Sequence, residues 1–173
     1  MDYEFELRFK LPVDSDANDI VERLGEAGCD DALVGTGQPG RIALRFTRAA
    51  DSAKSAIVSA LEDVKKVIPA ANLIEAGPDL VGLTDVADML GKSRQNMRKL
   101  MLAHAATFPA PVHEGSTALW HLEPVLRWLQ GKGGYQVSQE QIDVAHISMQ
   151  INLIKAAAHL EPRMQREVHA LVA

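Results

Sequence analysis

The sequence predicts an α+β fold in three consecutive parts, and three observations carry that prediction. Residues 2–11 alternate without interruption, with Tyr3, Phe5, Leu7, Phe9 and Leu11 on one side and Asp2, Glu4, Glu6, Arg8 and Lys10 on the other. That is the pattern of a half-buried strand. Residues 83–102 carry two short helical periods separated by Gly91. Residues 139–160 carry one long helical period whose apolar face is wider than a small domain ordinarily buries.

In the first part, Pro12 stops the opening strand. Asp16 or Asn18 opens a helix with Ile20, Val21 and Leu24 inward, closed by Gly28. Two strands follow, over residues 31–36 and 41–48, joined by Gly37, Gln38, Pro39 and Gly40 as a hairpin. In the second of them Ile42, Leu44 and Phe46 alternate with Arg41, Ala43 and Arg45. Asp51 begins a longer helix through Ala53, Ala56, Ile57, Ala60, Leu61, Val64, Val67 and Ile68, and residues 72–76 make a last strand. Strand, helix, strand, strand, helix, strand is the ferredoxin-like βαββαβ order, here assigned to residues 1–76. Gly77, Pro78 and Asp79 mark a linker over 77–80.

The second part spans 81–132. Thr84 is the expected N-cap of a helix with Val86, Ala87 and Leu90 inward. Gly91 supplies the left-handed residue that ends it, and Ser93 caps a second helix with Met97, Leu100 and Met101 inward. Ala87 is small where the two helices cross. Arg94, Gln95, Arg98 and Lys99 are left outward, with Lys92, Ser93 and Asn96 beside them. Pro109 and Pro111 bracket Ala110 and exclude helix there. Residues 113–117 form a turn, 118–121 a returning strand, and 123–129 a short helix with Pro124 in its first turn.

This order, ending in Trp128 and Leu129, resembles the winged helix-turn-helix of phage excisionases and prophage regulators, relatives of the MerR group. The resemblance covers residues 80–131. It implies double-stranded DNA as the partner, with the second helix in the major groove. Arg94 or Arg98 then suits bidentate pairing with guanine and Gln95 with adenine, Asn96 being a lesser base contact. Lys92 and Lys99 suit phosphates, Ser93 lies at the helix start, and His113 or Thr117 would supply a wing contact. One departure stands out: such wings usually carry a basic residue, whereas this tip has His113 and Glu114.

The third part, 133–173, follows a break at Gly131, Gly133 and Gly134. Ser138 and Gln141 form a capping box. The long helix then carries Ile142, Ala145, Met149, Leu153, Ala156 and Leu160 on one stripe and Ile147, Ile151, Ile154 and Ala158 on the next. Pro162 starts a final helix with Met164, Val168, Leu171 and Val172. So broad a face predicts a homodimer, the competing arrangement being a helix folded back on its own chain.

Composition bounds the rest. A hydrophobic fraction of 47% over 173 residues supports packed cores. The net charge of −5 divides unevenly. Residues 1–80 hold 9 Lys and Arg against 15 Asp and Glu, residues 81–132 hold 6 against 4, and residues 133–173 hold 3 against 4. The positive segment is the proposed DNA-binding one, and the acidic mass limits non-specific affinity. No apolar run reaches the roughly 18 residues of a membrane span, and the N-terminus lacks a basic region followed by an apolar one. Cys29 is the only cysteine, so no intrachain disulfide forms and a reducing cytoplasm is the expected compartment.

The six histidines show no metal-ligand spacing, and no phosphate-cradling loop or nucleophile constellation stands out. No metal, no cofactor and no enzyme activity are therefore expected. Tyr3, Phe5 and Phe9 share the apolar side of their strand, which leaves no aromatic platform for stacking RNA bases. The expectation is a cytoplasmic, sequence-specific transcriptional regulator, a dimeric repressor. The alternative is an antitoxin, a protein that neutralises a protein partner and binds DNA for autorepression.

Overall fold

The computed structural model describes residues 1–172, in which seven helices accompany a four-stranded antiparallel sheet and a two-stranded one. Its first unit runs β1 (Asp2–Lys10), α1 (Ala17–Glu26), β2 (Ala32–Gly35), β3 (Arg41–Ala49), α2 (Ala53–Val67) and β4 (Asn72–Gly77). The strands lie in the order β2-β3-β1-β4. Register sets Phe5 opposite Phe46, Leu7 opposite Leu44 and Phe9 opposite Ile42. All six are buried, and the Phe5 and Phe46 rings stack with centroids 5.0 Å apart. The alternation of β1 thus becomes one apolar sheet face packed under α1 and α2.

Local details decide the helix ends. Asp16 caps α1, its carboxylate accepting from the Asn18 and Asp19 amides. Ser52, not Asp51, caps α2, because Ser52 and Ser55 bond each other's backbone amides reciprocally. Val21, expected inward, is 36% exposed, since Ile20 and Leu24 alone span the contact face of so short a helix. Arg48 extends the inward alternation of β3 and is buried. Its guanidinium donates to Asp31, Asp63, Ser59 and the Gly28 carbonyl and lies 5.0 Å from the Phe46 ring centre. Every donor direction of this buried cation is answered, which a buried charge requires.

The second unit comprises β5 (Leu80–Val81), α3 (Leu83–Met89), α4 (Arg94–Ala103), β6 (Trp120–His121) and α5 (Leu122–Lys132). The returning strand is shorter than 118–121, and its partner is Leu80–Val81 at the end of the expected linker. A single bridge, His113 to Leu119, closes the hairpin before it. A second core gathers Val81, Val86, Ala87, Met97, Phe108, Trp120 and the inner face of α5.

Two helices remain, α6 (Gln139–Ala157) and α7 (Pro162–Val172). The Ser138–Gln141 capping box forms as expected. The wide face of α6 is not all free for a partner, because its residues up to Ile151 serve both cores. Ile142 and Ala145 enter the second core, while Val144, Ile147 and Ile151 join the first. Farther along, the Asn152 side chain accepts from the Ala76 amide at 2.9 Å and donates to the Ala76 carbonyl at 2.8 Å. Lys155 donates to the Ile74 carbonyl at 2.6 Å. These bonds cover the outer edge of β4, which otherwise presents unpaired backbone groups. Asn152 also donates to Asp79, whose fully buried carboxylate meets His121 Nδ1 at 2.6 Å. Asp79 therefore ties the end of β4, the small sheet and α6 at one point. Among the described residues no helix is long and apolar enough to cross a membrane.

Candidate nucleic-acid interface

The exposed face of α4 is built from its caps inward. Gly82, not Thr84, is the N-cap of α3, and Asp85 reaches back to accept from the Gly82 amide at 2.7 Å. Thr84 lies one residue inside the helix and is exposed. After Leu90 the chain reverses at Gly91, with φ +61. The Lys92 amide bonds the Ala87 carbonyl at 2.8 Å, and the Gly91 amide bonds Asp88 at 3.1 Å. This pair of bonds is a Schellman ending, and it needs the left-handed glycine between the helices. Ser93 then caps α4 by accepting from the Asn96 amide. Ala87 is fully buried and Met97 is 1% exposed, so the two helices meet closely where the small side chain sits.

Helical geometry distributes the polar residues of α4 over its outer face, at about 100° per residue. Met97, Leu100 and Met101 point inward. Gln95 and Lys99 are opposite them, Arg94 and Arg98 form one flank, and Asn96 lies on the other. Lys92, Ser93, Arg94, Gln95, Asn96, Arg98 and Lys99 are all exposed. Among the described residues none of the four cations in this group forms an ion pair. Elsewhere Arg8, Arg23, Arg45, Arg48, Lys66, Arg127 and Arg163 each pair with a carboxylate, while Lys10, Arg41, Lys54, Lys65, Lys132, Lys155 and Arg166 do not; what sets the α4 group apart is that its four unpaired cations lie within eight residues. Cations held off protein carboxylates remain free to neutralise an external anion.

Aromatic packing fixes the segment after α4. Phe108 meets Trp120 and Trp128 edge-on, at centroid distances of 6.1 Å and 5.1 Å. Trp120 Nε1 donates to the Pro109 carbonyl at 2.9 Å. The hairpin that follows has an exposed tip in which His113, Glu114 and Thr117 all face solvent. The His113 ring folds over Gly115, where an added Cβ would stand 2.7 Å from Nε2, a contact that a turn of the exposed imidazole relieves. His113 and Thr117 therefore lie on the hairpin and not on α4, and no basic side chain but His113 accompanies them. His104, at the end of α4, meets Lys132 at 2.8 Å.

Behind α3 the electrostatics reverse. A cleft of about 1160 Å³ lies between the polar sheet face, α3 and the start of α6; Asp2, Glu4, Glu6, Glu75, Asp79, Asp85 and Glu140 line it, with Arg8 and Arg45 among them. Burial pushes the Glu75 carboxyl up from its ordinary range, with Arg8 opposing that shift. Among the described residues no group of three or more His, Cys, Asp or Glu could hold a metal. No family model, curated protein or solved structure matches the chain.

Sequence reasoning overlooked Asp79, Asn152 and Tyr135. Asp79 looked like linker, and the contact between Asn152 and Ala76 spans 76 residues, beyond any local period. Tyr135 follows a glycine-rich break and bears on α4 only through the tertiary fold.

Proposed function

We propose that the chain is a sequence-specific, DNA-binding transcriptional regulator that acts as a dimeric repressor in the cytoplasm and carries no enzyme activity. In this reading residues 81–132 are a winged helix-turn-helix of the excisionase and prophage-regulator kind, and residues 1–76 are a ferredoxin-like domain. The sheet order β2-β3-β1-β4 with antiparallel neighbours supports the second assignment. The observation that carries the function is the outer face of α4 with the turn before it, where Lys92, Arg94, Arg98 and Lys99 are exposed and form no ion pair. Arg94 and Arg98 read guanine edges, Gln95 reads adenine, and Lys92 and Lys99 neutralise phosphates.

Dimerisation belongs to the same reading, now confined to the part of the C-terminal helices that the chain itself leaves uncovered. Leu153, Ile154, Leu160, Met164, Leu171 and Val172 are between 46% and 82% exposed. A second copy buries this face and pairs two reading helices about 34 Å apart, one DNA turn, as a palindromic site needs. The same uncovered face is what the antitoxin reading would use to grip a protein partner.

A gel-shift titration tests the assignment. Arg94→Ala and Arg98→Ala each weaken specific binding by about 1–3 kcal/mol without loss of fold. Wild-type affinity in both variants would remove α4 as the reading helix.

A further inference from the structure

Beside α4 lies a groove of about 420 Å³ whose floor is Met97 and Leu100 and whose far wall is Tyr135. Lys92, Asn96 and Lys99 form its rim, and no carboxylate lines it. Tyr135 reaches this place because Gly133 and Gly134, at φ +76 and +81, reverse the chain after α5, a backbone path that other residues rarely adopt. The tyrosine ring also packs on the second core, which holds its position against the helix. The cleft behind α3 differs: seven carboxylates and two arginines line it, whereas this groove offers two ammonium groups, an amide and a phenol.

Resting on the reading of α4 given above, we propose that this groove seats a phosphate of one DNA strand. Lys92 and Lys99 supply charge, and Asn96 and the Tyr135 hydroxyl supply directed donors. The groove lies on the flank of α4 opposite Arg94 and Arg98. A phosphate held there fixes the depth and rotation of the helix in the major groove while those two residues read bases. Tyr135 is thus a positioning residue contributed from outside the helix pair. It carries no sequence information, because a phosphate presents the same oxygens at every base pair.

The test uses the full-length protein with two duplexes, one selected from a randomised pool by the wild type and one of arbitrary sequence. Binding is followed by fluorescence anisotropy across salt concentrations. Lys92→Ala and Lys99→Ala each reduce the slope of log K against log salt by about 0.9. Tyr135→Phe keeps the ring and removes the hydroxyl. It weakens both duplexes by the same factor, about tenfold to a hundredfold for a bond to a charged acceptor, and leaves the preference between them unchanged. Phosphate ethylation supplies the positional readout: a modification that blocks the wild type costs Tyr135→Phe correspondingly less. Wild-type-like binding by Tyr135→Phe and Lys99→Ala overturns the inference alone, as does a loss confined to the selected duplex. Failure of the wild type to bind any duplex overturns the reading of α4 and this inference with it.

Discussion

Replacing Asn152 with alanine is the sharpest structural test of how α6 joins the two units. Its side chain makes three bonds of 2.8–2.9 Å, to the Ala76 amide, the Ala76 carbonyl and the Asp79 carboxylate. Alanine removes all three and leaves partners that are poorly placed to find water, since Ala76 is fully buried and the Asp79 side chain is too. At about 1 kcal/mol for each neutral bond and about 1.5–3 kcal/mol for the bond to a carboxylate, the expected loss is about 4 kcal/mol. Urea unfolding followed by circular dichroism measures it. The native baseline of the variant should keep its helix content, because Asn152 lies late in α6 and the capping box at Ser138 is untouched. A loss below about 1 kcal/mol would mean that water replaces the amide, and that the edge of β4 is not sealed by α6 as described.

Three further outcomes are expected. Arg48→Met leaves Asp31 and Asp63 facing each other without their shared cation; stability falls by about 3–5 kcal/mol in the same unfolding assay, and a change under about 1 kcal/mol would contradict the burial argument. Burial pushes the Cys29 thiol up to about 11, so about a thousandth is thiolate at pH 8. Iodoacetamide should therefore label Cys29 only in urea, and native labelling at the rate of a free thiol would refute its enclosure. Ile154→Glu with Leu171→Glu, at positions 71% and 82% exposed, should yield a folded monomer by light scattering. A dimer that survives both changes would move the interface elsewhere.

The elements closest to their sequence patterns are those whose partners lie within a few residues. The alternation of β1, the Ser93 cap, the left-handed Gly91 and the Ser138–Gln141 box all depend on local geometry and stand where periodicity expects them. The start of α3 was readable too: an acidic residue at 85, three positions after Gly82, is the reach-back partner of a cap, and Thr84 is a distractor. Arg48 was within reach, since extending the period of two from Ile42 carries it to the inner face. What periodicity could not supply is which surface of α6 meets which neighbour. Its two stripes look equally apolar, and only the fold divides Ile142 and Ala145 from Val144, Ile147 and Ile151 and leaves Leu153 and Ile154 uncovered. The roles of Asp79 and Tyr135 are likewise tertiary, one buried between two units and the other turned onto the flank of α4.

The measurement closest to the central claim is selection of duplexes from a fully randomised library by the full-length protein, with the Arg94→Ala, Arg98→Ala double variant run beside it. The account predicts one enriched motif for the wild type, with two inverted half-sites about 10 base pairs apart from centre to centre. It also predicts that the double variant loses the guanine positions of that motif. No enrichment by the wild type, or the same motif recovered by both proteins, would contradict it.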